Sequence, residues 1–504
     1  MRFVPTRSSS IVTSKRRLGA GPVVREGSQA AYRAVAELEG EDHVIRTELA
    51  DGDATPQGSA LACIAHLTDL HVTDAQSPAR FEFINREWRD PRFRELLPMH
   101  RPQETLNMHA IAAMVRAING VAAGPVTGAP MQIAVVTGDA IDNSQRNELT
   151  NFFSLMRGGT VKPDSGAPGY DGVQRADWRG DIYWKPDGRP GGDVYQSALG
   201  FPHHQGLLDL AMEPFHAEGM RVPWLGCRGN HEEACQGVGI VTPALARAMT
   251  GSRKPIDLPG GLDLDTMVET FVAQPELFMS GPYIDVEADH ERRPVEREEV
   301  MPEPYYVRDM GEVRFITLDT VSTEGGADGT IDPDQLYWLE RRLEEVHSSF
   351  RSRDGTRVQT RNENRHVVLL SHHGYDTLAN PRAERRADQL LALLLRFPNV
   401  VLWLNGHIHA NRITSRKDER SGHGFWEVAT SSLVDWPCQA RLVEIFRTRR
   451  GRLAIACTML DHDGEGLAGM HRELAANVPR SGFDSTRAGL AADRNATLLL
   501  PAPF

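Results

Sequence analysis

Cysteine is scarce in this 504-residue sequence, and none of its five cysteines forms a C-x-x-C pair. So few and so scattered, they argue against a disulfide framework and a thiolate zinc site, and favour a reducing compartment. Long apolar runs are also missing, since the longest block, residues 390–397, includes Arg396 and is far shorter than the roughly 18–20 residues of a membrane span. We therefore expect no membrane-spanning segment.

Positive charge is in deficit, and the formal net charge is −12. No global field would draw nucleic acid or an anionic membrane to such a chain, so we do not expect a nucleic-acid partner. A phosphate-bearing substrate would need a local positive centre, which bound metal ions would supply.

The N-terminal region carries Lys15-Arg16-Arg17, which suggests a twin-arginine export signal. The residues that follow are Leu-Gly-Ala-Gly-Pro and then charged ones, not the roughly 7–15 apolar residues that such a signal requires. The sequence therefore favours a cytoplasmic location.

Length predicts either two domains or one core with large insertions, because a single core rarely exceeds about 250–300 residues. We divide the chain into an N-terminal arm that is poorly ordered or peripheral (1–55), a main domain (56–460) and a C-terminal extension (461–504). Two stretches within the main domain are interpreted as insertions, at about 158–202 and 252–304, from their Gly, Pro and acidic content. Aromatic residues in the first insertion favour an ordered lid over a flexible linker.

Six short apolar runs each end just before a polar segment that contains Asp, Asn or His, which predicts strands buried on both faces of an α/β sheet. They are residues 61–67, 132–136, 222–227, 313–318, 366–370 and 400–404. Amphipathic segments between them predict helices over 105–121, 334–347 and 383–397, which would cover the sheet faces. Ligands gather beyond the carboxyl ends of such strands.

Five motifs stand at these strand ends: Asp69-Leu-His71, Gly138-Asp139-Ala-Ile-Asp142-Asn143, Gly229-Asn230-His231-Glu232, Ser371-His372-His373 and Gly406-His407-Ile-His409. Each is weak alone, but their order and shared position form a pattern. Together they resemble the signature of the calcineurin-like binuclear metallophosphoesterase superfamily over roughly residues 60–460. The sequence is also similar to an actinobacterial subgroup with long inserts between motifs.

The resemblance implies a layered α/β/β/α sandwich of two mixed sheets flanked by helices, with the metal site at the carboxyl ends of the strands. It also implies two divalent or mixed-valence transition-metal ions (Mn, Fe, Zn or Co), which suit mixed imidazole, carboxylate and amide ligands. Asp139 would bridge the ions. The first ion would also take Asp69, His71 and His409, and the second Asn230, His372 and His407.

By the same resemblance, His231 would act as a general acid on the leaving oxygen, and Asp142 would orient its imidazole. The alternative for Asp142 is a loop-capping carboxylate. His373 competes with its neighbour His372 for one ligand position and would otherwise face the substrate or support the ligands.

Several further residues lie near these motifs. Asp319 is interpreted as a structural carboxylate, and His203 and His204 either touch substrate or are exposed loop residues. Glu427, Asp435 and Trp436 are candidates for the wall of the site.

Two departures from known patterns narrow the function. Asn143 stands where phosphoprotein phosphatases carry Arg, and Asp142 stands where purple acid phosphatases carry a metal-binding Tyr. The prediction is a phosphodiesterase or phosphomonoesterase acting on a small phosphate ester through metal-activated water. The alternatives are a non-catalytic binding scaffold of the same fold and a nuclease. Oligomeric state stays open.

Overall fold

A computed structural model describes residues 10–87, 89–93, 98–419 and 422–504. The strands, in chain order, are β1 (Ser10–Val12), β2 (Arg16–Glu26), β3 (Ala31–Glu39), β4 (Val44–Arg46), β5 (Ala62–Leu67), β6 (Ile133–Thr137), β7 (Gly159–Val161), β8 (Phe215–Ala217), β9 (Trp224–Cys227), β10 (Arg253–Pro255), β11 (Tyr283–Asp285), β12 (Tyr306–Met310), β13 (Val313–Thr317), β14 (Ser349–Arg351), β15 (Arg357–Gln359), β16 (His366–Leu370), β17 (Val400–Asn405), β18 (Arg412–Lys417), β19 (Gly424–Ala429), β20 (Ala440–Arg447), β21 (Leu453–His462) and β22 (Ala496–Leu500).

The α-helices are α1 (Asn107–Asn119), α2 (Arg146–Arg157), α3 (Val194–Leu199), α4 (Leu207–Met212), α5 (Pro243–Met249), α6 (Met267–Ala273), α7 (Pro275–Met279), α8 (Arg297–Val300), α9 (Pro333–Glu344), α10 (Ala387–Leu394), α11 (Gly466–Asn477) and α12 (Ala491–Arg494). Within the described ranges, no helix has both the length and the apolar character needed to cross a membrane.

Sheet A has the strand order β4-β22-β21-β20-β5-β6-β9, and β1 adds to β21. Strands β5, β6 and β9 run parallel to one another. Every residue of β5 and β6 is buried, as expected for apolar strands that are covered on both faces. Their carboxyl ends therefore meet at one edge of the sheet.

Sheet B has the order β12-β13-β16-β17-β19-β18. Its central strands β13, β16, β17 and β19 are parallel, and all their residues are buried. The antiparallel strands β12 and β18 close its two edges. Sheet B thus presents a second row of parallel strand ends.

The two sheets pack face to face through a shared apolar core in which Val135 of sheet A belongs to the same cluster as Phe315 and Leu402 of sheet B. Helices α1 and α2 cover the outer face of sheet A, and α9 and α10 cover that of sheet B. The predicted α/β/β/α sandwich is confirmed. The predicted helices correspond to α1, α9 and α10; α1 and α10 are shorter than expected at both ends, and α9 begins one residue earlier and ends three residues earlier than expected.

Both chain termini contribute to sheet A. Strand β1 pairs with β21, β4 pairs with β22, and β22 itself lies in the sheet beside β21. Part of the predicted peripheral arm is therefore built into the sheet, because edge strands gain backbone hydrogen bonds without needing the apolar runs by which we recognised the other strands. Among the described strands, β2 and β3 pair with each other and with no other strand. The domain boundaries themselves remain predictions.

The two predicted insertions are folded. In the first, Trp184 is buried in a cluster with Tyr32 of the hairpin and Leu474 of α11. In the second, Phe271 packs on Phe81, with ring centroids 4.3 Å apart. Long-range aromatic contacts thus anchor both segments, and the role of the first as a lid remains a prediction.

Candidate metal centre

The predicted ligands lie where the parallel strands of both sheets end. Sheet A contributes Asp69 and His71 after β5, Asp139 after β6 and Asn230 after β9; sheet B contributes His372 after β16, and His407 and His409 after β17. All lie in loops that follow these strands, and every strand except the half-buried β9 is fully buried. The strands therefore determine where these side chains stand.

Five of these residues have left-handed backbone conformations, with φ of 51° at Asp69, 48° at His71, 48° at Asp139, 67° at His407 and 51° at His409. A non-glycine residue in this region is disfavoured by roughly 1–2 kcal/mol. Such conformations persist only where surrounding contacts hold them.

Glu232 provides one such restraint. Its carboxylate accepts hydrogen bonds from the backbone N–H groups of Asp139 at 3.1 Å, Ala140 at 2.8 Å and Ile141 at 3.1 Å. The turn that carries Asp139 is therefore held by a side chain from the Gly229–Glu232 motif.

Two motif glycines allow the loops of the two sheets to touch. Gly138 has a φ of 86°, and a Cβ there would lie 2.6 Å from Nδ1 of His372. A Cβ at Gly406 would collide with the side chains of Thr68 and Asp69. A larger residue at either position would force the ligands apart.

The first group of ligand atoms belongs to Asp69, His71, Asp139 and His409, which are all buried. Nε2 of His409 lies 3.2 Å from Oδ1 of Asp69 and 3.2 Å from Nε2 of His71. Nε2 of His71 lies 3.7 Å from Oδ2 of Asp139. The four side chains thus surround one small volume.

A second group meets the first at Asp139. Nε2 of His372 lies 3.1 Å from Oδ2 of Asp139 and 3.1 Å from Oδ1 of Asn230. Nδ1 of His407 lies 3.2 Å from the same Asn230 oxygen. Asp139 is therefore within reach of both groups.

Polar partners on the far side of the ring orient three of the predicted histidine ligands. Nδ1 of His71 faces Oδ1 of Asp142 at 3.0 Å, and Nδ1 of His409 faces Oδ2 of Asp435 at 2.8 Å. Nδ1 of His372 faces the carbonyl oxygen of Thr137 at 2.8 Å. Because these partners are acceptors, each Nδ1 carries a proton, and each Nε2 faces the centre, where either a proton or a metal ion can occupy its lone pair.

The centre is consequently a set of acceptors facing one another. Asn230 donates its Nδ2 to the carbonyl oxygen of Gly237 at 3.3 Å, which leaves its Oδ1 turned inward. Buried lone pairs 3.1–3.7 Å apart repel unless a proton or a metal ion lies between them. The donor set therefore fits divalent transition metals.

The pKa of His372 also indicates that the centre attracts positive charge. Burial alone would lower its pKa, but Asp139 and Asp69 outweigh burial and raise the pKa to about 9. Burial likewise opposes ionisation of Asp139, yet the neighbouring histidines hold its pKa well below the usual range. The centre thus stabilises cations.

His373 is placed differently from His372. Its Nδ1 lies 2.9 Å from the hydroxyl of Thr320, and its Nε2 lies 2.9 Å from the carbonyl oxygen of Ala327. Burial and the neighbouring His407 hold its pKa well below the usual range. Both ring nitrogens of His373 already have hydrogen-bond partners, so the geometry favours His372 for the ligand position.

His231 stands beside Asp139 without directing a ring nitrogen at it. Its backbone N–H donates to Oδ1 of Asp139 at 2.9 Å, and its Nδ1 donates to the carbonyl oxygen of Asp142 at 2.7 Å. Burial would lower the pKa of His231, but Asp139 and Asp142 raise it to about 9. With 16% of its side chain exposed, the charged ring can meet a substrate.

A family comparison agrees with this geometry. Residues 190–411 match the calcineurin-like phosphoesterase family, and this range holds Asn230, His231, His372, His407 and His409. This match supports membership of the calcineurin-like phosphoesterase superfamily. Among curated proteins no match was found. The family and the buried His/Asp cluster together support a metal-dependent phosphoesterase.

Arg80 was not among the predicted site residues. It is buried, pairs with Oδ2 of Asp142, and lies 3.0 Å from Glu104 and 3.2 Å from Glu82. Burial opposes ionisation of Asp142, but Arg80 and the neighbouring histidines hold its pKa well below the usual range. Arg80 belongs to no motif, so nothing in its local sequence indicated this contact.

Of the remaining candidate residues, some contact and hold other side chains and some lie on the surface. Asp319 pairs with Arg228 at 2.5 Å, in keeping with a structural carboxylate. Glu427 accepts hydrogen bonds from the backbone N–H of Tyr375 at 2.9 Å and from Nδ2 of Asn405 at 3.0 Å. Asp435, predicted only to line the wall of the site, accepts a hydrogen bond from His409. The next residue, Trp436, is buried. His203 and His204 are exposed and lie outside the His/Asp clusters.

Proposed function

We propose that this protein hydrolyses small phosphate monoesters or diesters with two divalent metal ions. The observation that carries the proposal is the convergence of buried acceptor atoms from both sheets. The first ion would be held by Asp69, His71 and His409, the second by Asn230, His372 and His407, and Asp139 would contribute to both. The chemistry that such a pair supplies when bound is activation of water and compensation of phosphoryl charge.

His231 is proposed as the general acid. Its raised pKa, about 9, means that the ring carries a proton at neutral pH, and the ring is partly exposed beside the ligands. The carbonyl oxygen of Asp142 fixes Nδ1, which leaves Nε2 to deliver a proton to the leaving oxygen. Asp142 is proposed as its positioning residue, with Arg80 keeping that carboxylate ionised.

The metals are proposed to be Mn, Fe, Zn or Co, alone or as a mixed-valence pair. Imidazole, carboxylate and amide oxygen ligands suit this group better than they suit Ca, which prefers an all-oxygen shell.

A small substrate and a cytoplasmic location are also proposed. The net charge of −12 supports a small phosphate ester over nucleic acid. The five cysteines are all buried and free, which suits a reducing compartment.

The test uses chelator-treated protein that is reloaded separately with Mn, Fe, Zn or Co. We expect about two ions per chain and hydrolysis of p-nitrophenyl phosphate or bis(p-nitrophenyl) phosphate only after reloading. Asp139→Asn should lose both ions and activity. Asp319→Asn is the matched control, because Asp319 is also a largely buried carboxylate just after a strand but lies outside the His/Asp clusters.

Three results would contradict the proposal in different ways. Hydrolysis by metal-free protein would remove the metal mechanism. Tight binding of two ions without turnover of monoesters, diesters or cyclic nucleotides would favour a binding scaffold. Cleavage of oligonucleotides in preference to all small esters would favour a nuclease.

A further inference from the structure

A cavity of about 630 Å³ lies between the β2–β3 hairpin, the segment before β20 and the segment after α11. Its walls include Leu18 of the hairpin, Trp436 and Gln439 before β20, and Phe483 after α11. Among the described residues that line it, none is a predicted metal ligand. Small-molecule sites typically enclose roughly 300–1,000 Å³, so this cavity is large enough for an organic molecule.

Positive charge predominates in its walls, which carry the guanidinium groups of Arg17, Arg33, Arg480 and Arg494 and the carboxylates of Glu41 and Asp484. Glu41 is shared between Arg494, at 2.7 Å, and Arg17, at 3.3 Å. Arg33 donates to the carbonyl oxygen of Gly21 at 3.1 Å, and within the described part of the chain neither Arg33 nor Arg480 has a carboxylate partner. The cavity is therefore locally basic in an acidic chain.

One buried lining residue has an unused hydrogen-bonding atom. Gln439 is 6% exposed and donates its Nε2 to Asp461 at 2.9 Å, while its Oε1 has no donor among the described residues. A buried polar atom left without a partner is unfavourable by about 1–3 kcal/mol. A molecule in the cavity could use this acceptor.

The walls also offer an aromatic surface. The rings of Trp436 and Phe483 meet edge to face, with centroids 4.7 Å apart. Trp436 directly follows Asp435, which binds His409, so consecutive residues belong to the cavity and to the metal centre. A ligand here would lie close to that centre but outside it.

We propose that this cavity is a second binding site, for a small organic anion with an apolar, flat body. The guanidinium groups of Arg33 and Arg480 would hold its carboxylate or phosphate, and Trp436 and Phe483 would contact its body. Oε1 of Gln439 would accept a hydrogen bond from an N–H or O–H group of the ligand. The site is independent of the proposed hydrolytic reaction.

The experiment is a fluorescence titration with 1-anilinonaphthalene-8-sulfonate, which combines an aromatic body, an anionic group and an N–H donor. We expect one saturable site in both metal-loaded and chelator-treated protein. Arg480→Glu and Arg33→Glu should each weaken binding about tenfold or more, as expected when a charge-assisted contact becomes repulsive. Arg341→Glu, on the exposed surface of α9, is the matched control and should bind like the unaltered protein.

Competition with AMP and with benzoate distinguishes a phosphate head group from a carboxylate, and displacement by either supports the proposal. Unaltered binding in both cavity variants, or an equal loss in Arg341→Glu, would overturn it. Binding that disappears when metal is removed would assign the probe to the metal centre and would also overturn it. Circular dichroism of each variant shows whether the fold is retained.

Discussion

Replacing Asp435 by Asn should weaken metal binding, although Asp435 is not one of the proposed ligands. Its Oδ2 accepts a hydrogen bond from Nδ1 of His409 at 2.8 Å, and its Oδ1 accepts one from Nε of Arg101 at 3.0 Å. Burial disfavours the charge, but Arg101 and Arg487 hold the pKa of Asp435 well below the usual range. His409 is therefore oriented by an ionised carboxylate.

The expected size of the effect follows from that hydrogen bond. A bond to a charged group contributes about 1.5–3 kcal/mol, and one to a neutral acceptor about 0.5–1.5 kcal/mol. Asn keeps a neutral acceptor, so about 1–1.5 kcal/mol is lost, which is roughly a tenfold weaker Kd. Ala removes the acceptor altogether and should weaken the Kd by up to about 100-fold.

Calorimetric titration of chelator-treated protein with Mn²⁺ measures both variants against the unaltered chain. Glu340→Gln is the control, because Glu340 is also a largely buried, arginine-paired carboxylate, at 2.7 Å from Arg396, but belongs to α9 on the outer face of sheet B. Urea unfolding reports any general loss of stability. If both Asp435 variants bind Mn²⁺ as tightly as the control, Asp435 does not support the metal site.

Three further predictions concern the acid, the paired histidines and a buried histidine far from the site. His231→Asn should lower turnover by about 10²–10⁴ without changing metal content, because its contact with Asp139 is made by the backbone; unchanged turnover in steady-state assays would remove the assigned role. His372→Ala should retain about one ion by elemental analysis and His373→Ala about two, and the opposite result would exchange their assignments. Burial lowers the pKa of His347 to about 3 in the folded chain, against about 6.5 in the unfolded chain. As the pH falls from about 6.5 towards 3, His347 therefore gains a proton in the unfolded state alone. The free energy of unfolding that neutral His347 contributes is lost over that range. Urea unfolding at pH 7.5 and 5 should therefore show a smaller pH dependence of stability for His347→Gln than for the unaltered chain, and equal dependence would contradict the lowered pKa of His347.

The fold class was predictable because buried parallel strands leave a clear pattern in sequence. Strands β5, β6, β16 and β17 are apolar on both faces, and polar motifs follow each of them directly. The two-sheet arrangement followed from the family resemblance, and the shared core around Val135 and Phe315 is consistent with it. Strands β1 and β4 escaped prediction because their few residues carry no such pattern.

The candidate site was predictable only as far as its motifs extend. His71 and Asp142 fall within motifs, whereas Arg80, which pairs with Asp142, has no sequence neighbour that reveals its partner. Asp435 lies 26 residues beyond His409, and only the folding of β18, β19 and the following loop brings the two together. Contacts of this kind depend on tertiary packing, which local patterns do not encode.

The left-handed backbone at five proposed ligands has a consequence for protein engineering. Glycine would relieve the strain at Asp69, His71, Asp139, His407 and His409, since it adopts such conformations freely. A stability screen of the metal-free chain would therefore favour glycine at the very positions where a metal-binding screen would reject it. Opposite preferences at the same residue would identify functional positions by selection alone, without knowledge of the substrate.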